Sequence, residues 1–334
     1  MKLSSSVSLA LRVGAGFAAI GLMIYFGRIN LAALSGTLAR PGLLALSAFL
    51  LLALVPLAAF RWWLLLAQLG IKVNLLWALR TNLITAFLGT FLPGAFGGDV
   101  ARVALAYRAA GGGLSRVTFS VLVDRVTGLV AAAIVGLCML PFLHIAGHRR
   151  IDFFVPTILL IGSVLAGCLL ALLLGDQTVK LLERLPGRLK LIAVIFHEVV
   201  SALRAYADRW LLMLGLLFLS VLAFTMLLAA IMLLGVAMQF EALSLPGYFT
   251  AGVWATIANA VPLTPGGLGI GEAAFAQVAH MLEAVPSHAS YATAFLAMRV
   301  INALISALGL VPYVANRRQV LSAVQSANNG AGSS

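Results

Sequence analysis

A chain of 334 residues in which 62% are hydrophobic and 10% charged, with a mean hydropathy of +1.08, has too little polar surface to cover a soluble globule. It is an integral membrane protein, and stretches such as 43–60, 154–174 and 211–236 meet the roughly 20-residue length that a helix needs to cross the hydrocarbon core. A net charge of +12 would point to nucleic acid in a soluble protein. Here the basic residues gather in predicted cytoplasmic loops, where they set orientation and meet anionic headgroups, so no nucleic-acid partner is expected.

In chain order, Lys2 and Arg12 with the apolar run 13–26 resemble the charged and hydrophobic regions of a signal peptide. The length of the run and the helices that follow favour a retained first helix. The apolar elements then run 9–27, 42–60, 75–92, 98–110, 115–142, 154–174, 210–236, 247–262, 268–284 and 291–315. The pairs 75–92/98–110 and 247–262/268–284 are short or polar; the first carries Arg80, Thr81, Asn82, Thr85 and Thr90, which a lipid-facing span accommodates only at a cost. Each pair is predicted to form a re-entrant helical hairpin. The loop 176–209 contains Leu189, Ile192, Phe196, Val199 and Leu203 on one helical face, the pattern of an interfacial helix. Residues 317–334 form a predicted disordered cytoplasmic tail. Cys138 and Cys168 both fall in predicted spans, which indicates neither a disulfide framework nor a metal site.

A Gly-Pro motif breaks both hairpins. It reads Pro93-Gly94-Ala95-Phe96-Gly97-Gly98-Asp99 in the first and Pro265-Gly266-Gly267-Leu268-Gly269-Ile270-Gly271-Glu272 in the second. Pro and Gly free backbone groups that hydrocarbon cannot satisfy, so broken helices persist only where protein or a cavity surrounds them. An arginine recurs at nearly the same distance downstream, Arg125 at 32 residues from Pro93 and Arg299 at 34 from Pro265. The chain therefore reads as an all-α polytopic protein of two repeats, 1–150 and 151–316, each with three spanning helices and a re-entrant hairpin (about 75–110 and about 247–284). Three crossings is an odd number, so the second repeat enters from the opposite face and the topology is inverted. With both termini in the cytoplasm, Arg61, Lys72, Arg80, Arg102, Arg108 and Arg116 fall inside along with most other cations, while Arg28, Arg40, Arg149 and Arg150 fall outside.

Arg125 and Arg299 each lie about ten residues into a predicted span, where an unpaired arginine costs roughly 2.5–3.5 kcal/mol on insertion scales. They are the leading candidates to hold an anionic headgroup, because the guanidinium fork suits phosphate. The competing reading is a pair of salt bridges that lock the fold, Arg125 with Asp99 and Arg299 with Glu272. Half-helix amides near Gly97 and Gly98, and near Gly269 and Gly271, offer a second anion-binding element, against capping by Asp99 and packing by the glycines. Asp99, Asp124 and Glu272 would contact a cationic or hydroxylated headgroup or gate by pairing with the arginines. His197-Glu198 lacks the second histidine of a zinc-protease motif, with Ser201 in its place. His144 and His148 have no nearby carboxylate but Asp152. No catalytic residue, metal or cofactor is predicted.

The motif Pro93 to Arg102, the intramembrane Asp124-Arg125 and the run Pro262 to Ala274 resemble the membrane region of lysylphosphatidylglycerol synthases, the flippase-like domain family, over roughly 9–316. The resemblance implies lipid handling and adds Arg102, Gly266 and Gly267 to the candidate site. Gly271 stands where many relatives carry a basic residue. The synthase half of bifunctional relatives is not expected here, so the chain is not expected to be an enzyme. The expectation is a bacterial inner-membrane protein that moves an anionic lipid between leaflets. The alternative is a non-transporting subunit of a lipid, hopanoid or glycolipid biosynthetic pathway, with a lipid-biosynthetic enzyme as partner.

Overall fold

The computed structural model describes residues 37–91, 97–110, 114–143, 209–260, 264, 267–283, 287 and 289–316, with a few single positions besides. The predicted spans 9–27 and 154–174, the amphipathic stretch 189–203 and the tail 317–334 lie outside these residues, apart from isolated positions.

Every described element is helical. They are α1 (Pro41–Gln68), α2 (Leu75–Phe91), α3 (Gly97–Ala110), α4 (Leu114–Met139), α5 (Trp210–Ala237), α6 (Leu245–Ala260), α7 (Ile270–Leu282), α8 (Tyr291–Ala307) and α9 (Leu310–Ala315). Among the described residues, four helical stretches, Pro41–Gln68, Arg116–Phe142, Trp210–Ala237 and Tyr291–Ala315, are long and apolar enough to cross a membrane. The helices beside the Gly-Pro motifs are shorter: 17 residues in α2, 14 in α3, 16 in α6 and 13 in α7. At a rise of about 1.5 Å per residue none of these four spans a hydrocarbon core of about 30 Å unaided.

α1 and α5 form the backbone of the assembly. Each has 28 residues and each ends in the same hydrogen-bonded stop. Gly70 takes a left-handed φ of +76°, and the Ile71 amide donates to the Leu66 carbonyl at 3.1 Å. After α5 the left-handed residue is Gln239, φ +64°, and the Phe240 amide donates to Gly235 at 3.0 Å. Both satisfy carbonyls that a helix end leaves orphaned. The two helices run antiparallel. The Arg40 guanidinium at the start of α1 donates to the Val236 carbonyl near the end of α5 at 2.9 Å, while Arg209 before α5 donates to Gln68 at the end of α1. Ser47 donates to the Ala230 carbonyl at 3.0 Å between them.

The largest apolar core is built from α5, α6, α7 and α8 with contributions from α1 and α4, and centres on Leu228, Ile231, Leu234, Tyr248, Phe275 and Tyr291. Small residues bring the helices close, as is usual where lipid supplies no hydrophobic drive between helices. A Cβ on Gly98 would lie 2.6 Å from the Thr85 carbonyl and 3.1 Å from the Gly89 Cα, so α2 and α3 meet at a glycine contact. Packing accounts for Gly98 at this point.

Candidate functional site

Among the described residues, two charged clusters sit inside the helical bundle. The first joins α1, α3 and α4 at Asp124, which is buried. Arg61 Nε donates to its Oδ1 at 2.7 Å and Arg102 Nη1 to its Oδ2 at 3.0 Å. Arg61 also donates through Nη1 to Ser220 on α5 at 2.8 Å, and the Arg102 guanidinium lies 4.2 Å over the Trp62 ring. The positive-inside count put both arginines on the cytoplasmic side, with Arg102 within the predicted element 98–110; in the structure Arg61 is in the C-terminal half of α1 and Arg102 is buried in α3, each paired with the Asp124 carboxylate. Removing one partner from such a buried cluster typically costs about 3–5 kcal/mol.

The next residue on α4 faces elsewhere, since neighbours on a helix are rotated by about 100°. Arg125 Nη2 donates to both oxygens of Asp99, at 2.7 and 2.8 Å. Its side chain is 64% exposed. Asp99 sits in the first turn of α3, where its charge also complements the helix dipole.

The second cluster repeats the pairing in a closed form. Arg299 Nε on α8 lies 2.8 Å from Glu272 Oε1, and the Glu272 side chain is 0% exposed. Arg299 Nη2 donates to Asn259 Oδ1 at 3.1 Å and to the Gly267 carbonyl at 3.0 Å. Glu272 Oε2 accepts from the Gly269 amide at 2.9 Å, so this carboxylate occupies the α7 N-terminus where a phosphate was envisaged. Gly267 and Gly269 take left-handed φ values of +69° and +81°, conformations that favour glycine. A side chain at Gly271 would meet Asn259 Nδ2 at 2.5 Å and Arg299 Nη2 at 2.9 Å; the missing side chain makes room for the Arg299 head.

Both salt bridges weighed in the sequence are therefore formed, and Asp99, Asp124 and Glu272 are all paired with arginines. Gly97 opens α3 and Gly98 is packed in its first turn; Gly266 lies outside the described residues. Sequence reasoning missed Arg61, Ser220 and Asn259. Arg61 was hidden because hydropathy ended its helix at residue 60, although the apolar run resumes at Trp62.

A cavity of about 670 Å³ lies between α1, α4, α5 and α6 and touches both clusters: its wall includes Arg61, Asp99, Asp124 and Arg125 together with Thr256, Asn259, Thr264 and Gly267. Much of the remaining wall is apolar, including Leu57, Leu129, Phe224 and Leu227. A smaller, polar cavity of about 290 Å³ between α2 and α3 shares Asp99 and Arg125 with it, so this ion pair stands between the two spaces. Among the described residues no group of three His, Cys, Asp or Glu side chains is placed to hold a metal.

Residues 7–309 match the family model for the lysylphosphatidylglycerol synthase TM region. The chain belongs to that family. Comparison with curated proteins finds no match. Within this membrane-region family member, both Gly-Pro motifs and both arginines lie inside the matched span, and a membrane lipid-related role follows from the membership.

Proposed function

We propose that this protein moves an anionic phospholipid or related lipid between leaflets of the bacterial inner membrane. The observation that carries the reading is the cavity that touches both Gly-Pro motifs at once, through Asp99 of the first and Gly267 of the second, with Arg125 of α4 and Thr264 beside them. In this reading Arg125 takes the phosphate first and the Arg299 cluster receives it, with Asp99 and Glu272 as exchangeable partners that gate by re-pairing. Arg61, Arg102 and Asp124 form the fixed floor that orients Arg125. Positioning and electrostatics suffice for such a task, and no catalytic chemistry is assigned to the chain.

The proposed frame is two inverted repeats, each with a re-entrant hairpin. Its support is the recurrence of parts: two 28-residue helices with matching stops, antiparallel to one another, two pairs of short helices around a motif, and two arginines each bonded to the acid of its own motif. Broken helices that meet near the membrane midplane are a common transporter arrangement.

The test is transbilayer movement of fluorescent phosphatidylglycerol in proteoliposomes of the purified protein. Movement that Arg125→Ala abolishes, in a variant with unchanged folding, supports translocation. Folded wild-type protein that moves no lipid overturns it in favour of a non-transporting subunit beside a lipid-biosynthetic enzyme.

A further inference from the structure

Resting on the translocation reading, we infer that the cavity takes a lipid phosphodiester whose headgroup is an uncharged polyol, and that it selects against headgroups bearing an ammonium group. Among the described residues, four guanidiniums at the two clusters, Arg61, Arg102, Arg125 and Arg299, face three carboxylates, Asp99, Asp124 and Glu272. One positive charge is in excess, and a phosphodiester supplies one negative charge.

All three carboxylates are committed. Asp124 is held by two guanidiniums, Asp99 by Arg125 and Glu272 by Arg299 and the Gly269 amide. A headgroup ammonium adds to the excess of positive charge at the site and finds each carboxylate already paired with a guanidinium. A phosphate meets no such obstacle. Arg125 engages Asp99 through Nη2 alone, and its exposed side chain carries further donors beside the cavity.

The cavity wall also has neutral hydrogen-bonding groups. Thr256 gives its proton to the Gly252 carbonyl at 2.9 Å and Thr264 to Leu268 at 2.8 Å, which leaves their hydroxyl oxygens as acceptors. Asn259 accepts from Arg299 through Oδ1 and retains its amide N–H groups. Acceptors mixed with a donor suit hydroxyls, which both give and take. The apolar wall at Leu57, Leu129, Phe224 and Leu227 matches acyl chain and separates a lipid from a soluble glycerophosphate.

Competition binding to the detergent-purified full chain, read by native mass spectrometry, tests this with phosphatidylglycerol, phosphatidylethanolamine, lysylphosphatidylglycerol, phosphatidylmethanol and soluble glycerophosphoglycerol. Phosphatidylglycerol is expected to be retained at least tenfold over both ammonium lipids and several-fold over phosphatidylmethanol. Thr256→Val is expected to erase the second preference while phosphatidylmethanol still binds. Equal retention of either ammonium lipid overturns the inference, as does an unchanged phosphatidylglycerol preference in folded Thr256→Val; retention of glycerophosphoglycerol overturns the lipid assignment. Vesicle assays run alongside separate the two readings. Selective binding without movement overturns translocation and supports this inference, whereas movement of lysylphosphatidylglycerol as fast as phosphatidylglycerol overturns this inference and supports translocation.

Discussion

Arg125 and Arg299 look alike in the sequence, yet their surroundings assign them different consequences. Arg125 and Asp99 form an ion pair with 64% and 26% of their side chains exposed, so its loss is expected to change stability by about 0–1 kcal/mol. Arg299→Ala strands a fully buried Glu272 and is expected to lose about 3–5 kcal/mol. Thermal unfolding of the purified variants in detergent checks the contrast: Arg125→Ala close to wild type, Arg299→Ala much lower, with Arg299→Ala/Glu272→Gln recovering part of the loss. Glu283, just beyond α7, supports a pH prediction. Burial pushes its carboxyl up, but the Ser287 hydroxyl and amide, with His280 alongside, hold it below the usual carboxylate range. A depressed folded pKa contributes stability that is present at neutral pH and lost as pH falls through that folded value. Glu283→Gln is therefore expected to lower stability at pH 7 by about 1.5–3 kcal/mol. The difference from wild type should shrink once the medium is acidic enough to protonate Glu283, as unfolding curves at a series of pH values will register.

At the scale of elements, the stops of α1 and α5 invite comparison. Both use a left-handed residue, but Gly70 does so without a side chain and Gln239 with one. The left-handed conformation costs a non-glycine residue roughly 1–2 kcal/mol. Gln239→Gly is expected to stabilise the protein by about 1 kcal/mol, a little less than that strain because glycine also gains freedom in the unfolded chain; an unchanged or lowered melting temperature would contradict it. The helix ends at Gln239 because its carbonyls are already matched by the Gln239 and Phe240 amides. α1 also carries an internal proline, Pro56, which lacks an N–H for the preceding turn; beside it, Asn82 of α2 donates to the Val55 carbonyl at 3.1 Å. A polar residue that seemed costly in an apolar helix thus docks α2 onto α1.

For the whole molecule, the proposed inverted arrangement makes an orientation prediction. Lys72, between α1 and α2, belongs on the cytoplasmic side, and Glu241, between α5 and α6, on the opposite side. With Cys138 and Cys168 replaced by serine, a cysteine at Glu241 is expected to react with a membrane-impermeant maleimide on intact spheroplasts. A cysteine at Lys72 is expected to react only after permeabilisation. Labelling of both positions from one side would break the inverted frame, because α5 would then no longer end opposite α1. The antiparallel contacts of Arg40 with Val236 and of Arg209 with Gln68 motivate this test, since the arginine just before each helix meets the last turn of the other.

Composition and hydropathy alone were enough to establish a helical membrane protein. The four long spans within the described residues fall close to where apolar length put them, because hydrocarbon thickness is a one-dimensional constraint that a sequence states directly. The Gly-Pro motifs were legible for a similar reason: Pro and Gly act on their own backbone, and each motif lies between short helices. The pairings Arg125–Asp99 and Arg299–Glu272 could be named as options from spacing and charge. Only the tertiary structure decided that both are formed, that one is open and the other buried, and that Arg61 completes the first cluster. These are contacts between side chains 26 to 159 residues apart in some cases, brought together by helix packing. Burial, and hence the energetic weight of a charge, depends on what surrounds it in three dimensions, and no local pattern in the chain encodes that.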